Sequence, residues 1–140
     1  MSSGPRPVVF DTSTLVAGCL TPQGVPPRAL LAALVHSIPT ASTETLTELV
    51  AVLQRPKFDA WQPREVRLAF IAGHVSSVRR IEPKDRVFAC RDPKDDKFLA
   101  VAVAAGASWL VSSDDDLLSM VQYREVTILH PRQFLDQFRE

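Results

Sequence analysis

The chain has 140 residues, 46% of them hydrophobic, with 16 Lys and Arg balanced by 16 Asp and Glu. That length suits one domain spanning 1–140 and is short for two, while zero net charge removes non-specific attraction to phosphate, so any polyanion contact must be local. Cys19 and Cys90 lie in no CxxC spacing, which argues against a disulfide framework or a cysteine zinc site and fits the cytoplasm; no apolar run reaches the ~18 residues of a membrane span.

Residues 1–6 lack the hydrophobic stretch of a signal peptide and are expected to form a flexible tail. Pro7–Asp11 is an apolar run without alternation, as in a strand covered on both faces, and it ends in a carboxylate. Thr12-Ser13-Thr14 and an apolar stretch to Leu20 follow, closed by a turn at Thr21–Gly24. Pro26-Pro27 opens a helix over Arg28–Val35. Ile38–Ala41 reads as a second strand whose proline limits it to a strand start or a sheet edge. Ser42 or Thr43 caps a helix carrying Leu46, Leu49, Val50 and Leu53, stopped at Arg55-Pro56. Pro63 begins another helix to about Ser76, Val78–Ile81 forms a third strand, and Glu82–Pro93 is a charged, proline-containing loop. From Lys94 runs a helix apolar on nearly every side, ending at Gly106. Trp109–Val111 is a strand feeding Ser112–Asp116 and a short helix, Val126–Leu129 is the last strand, and Pro131 starts a closing amphipathic helix with Phe134, Leu135 and Phe138. Strands separated by helices, without a hairpin signal, predict an α/β fold: a mainly parallel sheet of about five strands between two helical layers.

In such sheets the crevice lies at the carboxyl ends of the strands. Asp11 and Asp114 both follow strands and therefore point to that edge, and Asp92, Asp95 and Asp96 enter the buried helix beside it. Gathered carboxylates repel unless some stay protonated or a cation binds; oxygen ligands suit Mg²⁺ or Mn²⁺ rather than zinc. Helix capping and turn chemistry also explain any one of these acids taken singly. Periodicity does not choose between Glu44 and Glu48, one turn apart on the polar side of their helix.

Four blocks of text bear on that choice: Val8–Ser13, Ser42–Leu49 with Leu53–Phe58, Cys90–Leu99, and Leu110–Leu118. In this order they resemble the PIN-domain family, and within it the VapC-like toxin components of toxin–antitoxin systems. The resemblance implies a PIN-like three-layer fold and an acidic quartet of Asp11, Glu48, Asp96 and Asp114, with Asp116 a fifth member and Asp92 and Asp95 left as loop or cap residues. Ser13, where the family often has asparagine, and Ser112 would support the site. The implied activity is a Mg²⁺- or Mn²⁺-dependent endoribonuclease that activates water for attack on phosphorus. Asp11, Asp96, Asp114 and Asp116 would hold the metal, and Glu48 would serve as outer ligand or orient the water. The implied partners are RNA, an antitoxin protein and a second copy of the chain.

Basic residues would have to meet the RNA. One group is Arg55, Lys57, Arg64 and Arg67; a second is Arg79, Arg80, Lys84, Arg86 and Arg91, although solvated surface is the commoner role of such residues. Trp61 fits packing or a dimer contact better than base stacking. A haloacid-dehalogenase-type phosphatase needs a second aspartate where Ser13 stands, a phospho-acceptor receiver needs paired early acids, and no glycine spacing fits a P-loop or GxGxxG turn. A PIN nuclease in RNA processing and a catalytically silent PIN-like interaction module remain the alternatives.

Overall fold

Val8 and Phe10 of β1 (Pro7–Phe10) face one side of the sheet and Val9 the other, the period of two expected of a strand buried on both faces. The computed structural model describes residues 4–139. Residues 1–3 of the expected tail lie outside that range, and the carbonyl of Arg6 already accepts a hydrogen bond from the Ile38 N–H at 2.9 Å.

Around β1 the sheet contains β2 (Ile38–Ala41), β3 (Arg79–Arg80), β4 (Trp109–Val111), β5 (Gln122–Tyr123) and β6 (Val126–Leu129), in the order β3-β2-β1-β4-β6-β5. Every pairing is parallel except β5 with β6. The sheet thus has six strands rather than about five, and one hairpin. Arg124 turns that hairpin with a left-handed φ of 52°, a conformation that Gly or Asn would have signalled and Arg does not. Of the two places open to a proline in β2, the strand start applies, since β2 lies between β1 and β3. Its Pro39 is tolerated because β3 begins only opposite Thr40, so no ladder bond is required of the proline nitrogen.

Helices α1 (Thr12–Leu20), α2 (Val25–His36), α3 (Thr43–Leu53), α4 (Arg64–Ser77), α5 (Asp96–Ala105), α6 (Asp115–Leu118) and α7 (Pro131–Asp136) complete the layers. α1 is the helix that the polar Thr12–Thr14 stretch concealed; Asp11 caps it. Ser42 closes a capping box on α3 with Thr45, and Gly106 ends α5 in the left-handed conformation at φ 66°.

Two cores flank the sheet. On one face Val8, Phe10, Val111 and Leu129 pack against Leu15, Ala29, Ala33, Leu49, Leu53, Ile71 and Phe134. Phe134 meets Phe10, Trp109 and Phe138 edge to face. On the other face Val9, Leu110 and Ile128 pack against Phe98, Leu99, Val101, Ala102 and Leu117. No helix among the described residues is long and apolar enough to cross a membrane.

Candidate active site

The sheet grows from β1 toward β2 on one side and toward β4 on the other, and ligand crevices open at the carboxyl ends of strands at such a reversal. Phe10 pairs with Val111, which sets Asp11 beside Ser112. The Asp11 N–H donates to the Val111 carbonyl at 3.1 Å. The buried Ser112 hydroxyl donates to Asp11 Oδ2 and accepts from the Asp114 N–H at 2.9 Å, tying the two strand ends together. Asp11 Oδ1 accepts from the Thr14 N–H at 3.0 Å and the Ser13 hydroxyl at 3.3 Å. Burial pushes the Asp11 carboxyl above its usual range, and the bonds from Ser112, Thr14 and Ser13 oppose that rise without cancelling it.

An open cleft of about 540 Å³ lies over these strand ends, lined by Asp11, Glu48, Asp92, Asp95 and Asp114 among others. Three of the four acids expected in a quartet therefore meet: Asp11, Glu48 and Asp114. Asp95 lines the cleft with them, and Asp96 does not. Asp95 is pushed up to about 7, by burial first, then by the hydrogen bond and charge of Asp114, then by the charges of Asp92 and Asp11. Its Oδ2 is buried and has no hydrogen-bond partner among the described residues; the Thr12 hydroxyl in the same cleft has none either.

Asp96 turns away. Its Oδ1 accepts from the backbone N–H groups of Ala89 (3.1 Å) and Cys90 (2.8 Å), and it lines a neighbouring groove instead of the acidic cleft. Desolvation raises the Asp96 carboxyl, but those N–H groups and the Cys90 thiol outweigh it and hold the group below the usual range. Adjacent residues at a helix entrance point about 100° apart, so only one can share the cleft. The available sequence signal was Phe98, three residues after Asp95, which lines the cleft with it.

Asp116 also lies outside this lining and pairs with Arg91 at 3.4 Å. The Ser13 and Ser112 hydroxyls both donate to the Asp11 carboxylate. Glu48 is paired at 2.7 Å with Lys97, which sequence reasoning had passed over; Lys97 is only 12% exposed and also donates to the Lys94 carbonyl. Glu44, its rival, lines the neighbouring groove.

Of the basic residues, Arg67 is excluded from surface contact. It is 1% exposed and its guanidinium donates to the carbonyls of Leu53, Arg55 and Gln62 and to Asp59, fixing the segment between α3 and α4. Arg55 and Lys57 are exposed on that segment and do not line the cleft. Trp61 is exposed. Cys19 is buried, whereas Cys90 is half-buried beside the acids; burial and Asp96 push its thiol up to about 12, so it is no nucleophile.

A hard divalent cation fits this donor set. The cleft offers hard oxygen donors, the carboxylates of Asp11, Glu48, Asp92, Asp95 and Asp114 beside the Thr12 and Ser13 hydroxyls; one carboxylate oxygen is buried without a partner, and the crowding that raises Asp95 is a repulsion a cation would relieve. Among the described residues no three acid, His or Cys groups converge into a finished cage.

A sequence model of the family described as "PIN domain" matches residues 7–116, which include every acid of this cleft. Over 143 aligned positions the chain is 28% identical to the uncharacterized protein MJ1680 of Methanocaldococcus jannaschii, spanning 95% of this chain and 92% of that one. The crystal structure of PAE2754 from Pyrobaculum aerophilum shares the fold with a TM-score of 0.60 at 15% identity, covering 96% of this chain and 92% of that one.

Proposed function

The chain belongs to the PIN-domain family, whose members are generally nucleases acting on nucleic acid, and from that premise we propose a Mg²⁺- or Mn²⁺-dependent endoribonuclease. The observation that carries this reading is Asp95, a carboxyl with an unpartnered buried oxygen in the same cleft as Asp11 and Asp114. Asp11, Asp95 and Asp114 would hold the cation. Bound there, it would screen the scissile phosphate, stabilise charge developing in the transition state and lower the pKa of a water.

The protein's own groups have separate tasks. Ser112 fixes Asp11 and the Asp114 backbone in one geometry, so their carboxylates need no reorganisation when charge develops. Glu48, steered by Lys97, orients the attacking water and accepts its proton. Asp96 anchors the loop entering α5 and so sets where Asp95 points. Asp116 belongs to the outer rim with Arg91.

The test is incubation of purified protein with structured and unstructured RNAs and Mg²⁺ or Mn²⁺, beside Asp11→Asn and Asp95→Asn. Cleavage abolished by EDTA and by both substitutions is expected; cleavage surviving all three refutes the proposal. Absence of both activity and metal binding would favour a silent PIN-like module.

We further propose the cytoplasmic toxin of a toxin–antitoxin pair, on the likeness of the four sequence blocks to that branch. Growth arrest on expression, relieved by the product of an adjacent gene, is the expected result; unaffected growth would leave an RNA-processing role. Self-association as a homodimer is supported by Leu31, Leu34 and Val35, exposed at i, i+3 and i+4 on one face of α2. Light scattering of the wild type and Leu34→Glu tests it, and a wild-type monomer would refute it.

A further inference from the structure

Beside the acidic cleft runs a second groove of about 620 Å³ along the 81–95 loop and the first turns of α5. Lys94 lines both, and the Lys97–Glu48 pair bridges one lining to the other, so the two are continuous. Lys84, Arg86 and Lys94 line the groove and form no ion pair among the described residues, against Glu44 and Asp85. Asp96 and Lys97, its other charged residues, are already engaged. The lining therefore offers more free cations than free carboxylates, in a protein of zero net charge.

Phe88 lies in this groove and is 82% exposed, more than any other large apolar side chain among the described residues. It is not there through looseness of the loop. The preceding Val87 is plugged into the core with Val101 and Ala102, and the following Ala89 and Cys90 N–H groups are held by Asp96. The chain is thus pinned on both sides of an aromatic ring left in water, at a hydrophobic cost of about 2 kcal/mol that folding does not recover.

We propose that Phe88 is a base-stacking platform and that Lys84, Arg86 and Lys94 hold the flanking phosphates, leading one unpaired nucleic-acid strand into the acidic cleft. An exposed ring stacks on the face of any unpaired base, whereas a paired base keeps its faces against its neighbours in the helix. Cations lining the same groove supply the backbone contacts, and Lys94, shared by both linings, delivers the next phosphate to the carboxylates. The groove's specificity is then for unpaired segments, not for sequence. This assignment rests on the nuclease reading for the direction of the strand, but binding in the groove does not require cleavage.

The experiment measures anisotropy of a labelled single-stranded RNA with the full chain in EDTA and again with Ca²⁺, beside Phe88→Ala, Phe88→Trp and the Lys84→Ala/Arg86→Ala/Lys94→Ala triple variant. Phe88→Ala should weaken binding about tenfold, Phe88→Trp should retain it, and the triple variant should flatten the salt dependence. A duplex of the same sequence should bind more weakly. Phe88 is 82% exposed and belongs to neither core, so its variants are expected to fold, with thermal unfolding as the control. Single strands that bind Phe88→Ala as tightly as wild type, or fail to bind wild type in either condition, would overturn the assignment and leave Phe88 to a protein partner. Intact binding without cleavage would refute the nuclease reading alone, and cleavage with unchanged Phe88→Ala binding would refute this one alone.

Discussion

Asp95→Asn separates a crowded acid pair from a simple helix cap. A carboxyl held at about 7 instead of 3.8 corresponds to about 4 kcal/mol if unscreened. Solvent at this half-exposed site reduces that to about 1–2 kcal/mol. The sign follows from the raised value. The folded state binds the Asp95 proton more tightly than the unfolded chain, so stability is fully present below the ordinary carboxyl range and is lost as pH rises toward and through about 7. Asparagine cannot ionise and can still donate to Asp114. In EDTA, wild-type Tm should therefore fall relative to the variant by about 3–6 °C between about pH 4 and pH 8. His74, lowered to about 4 by burial, contributes the opposite slope as pH falls below its usual range, but it is present in both proteins and cancels in the difference. Asp11, also raised, is common to both as well. Differential scanning calorimetry across pH is the assay, repeated with Mg²⁺, which should recover the wild-type loss and leave the variant nearly unmoved. Parallel Tm–pH curves for the two proteins would refute the argument that Asp95 and Asp114 are held in contact.

Asp96→Asn should behave differently, because an amide oxygen still accepts from the Ala89 and Cys90 N–H groups. A loss of about 1 kcal/mol with the Mg²⁺-induced Tm shift preserved is expected in the same calorimetry, and loss of that shift would return Asp96 to the metal set. Lys97→Met frees Glu48 from its 2.7 Å ion pair and should slow single-turnover RNA cleavage by about 10- to 100-fold, with Lys97→Arg recovering most of it; equal rates would remove Glu48 from the reaction. Arg67→Met leaves three backbone carbonyls without their donor, and urea unfolding should show a loss of about 3 kcal/mol.

Much of this architecture was legible in the residues. The unalternating run Val8–Phe10, the Ser42 cap, the Pro63 start and the Gly106 stop each encode a local physical constraint, and each stands where it was expected. The hairpin was not legible, because Arg124 turns it without a turn residue's signature. Within the cleft, Asp11 and Asp114 were readable because a strand's end fixes its edge of the sheet.

The choice between Asp95 and Asp96 was different in kind. Both stand at the entrance to α5, and one-dimensional spacing assigns either to the cleft. The tertiary structure decides it: the 81–95 loop returns across α5, offers two N–H groups to Asp96, and leaves Asp95 against Asp114. In the same way only packing turned Arg67 inward, brought Lys97 to Glu48 and left Phe88 in water. The sequence by itself determined most of the elements, though not α1 or the β5–β6 hairpin, and which sheet edge gathers acids, because propensity, capping and strand polarity are local. Which carboxylate faces which, and what neutralises it, depends on groups tens of residues apart in the chain, and only their folded positions determine that.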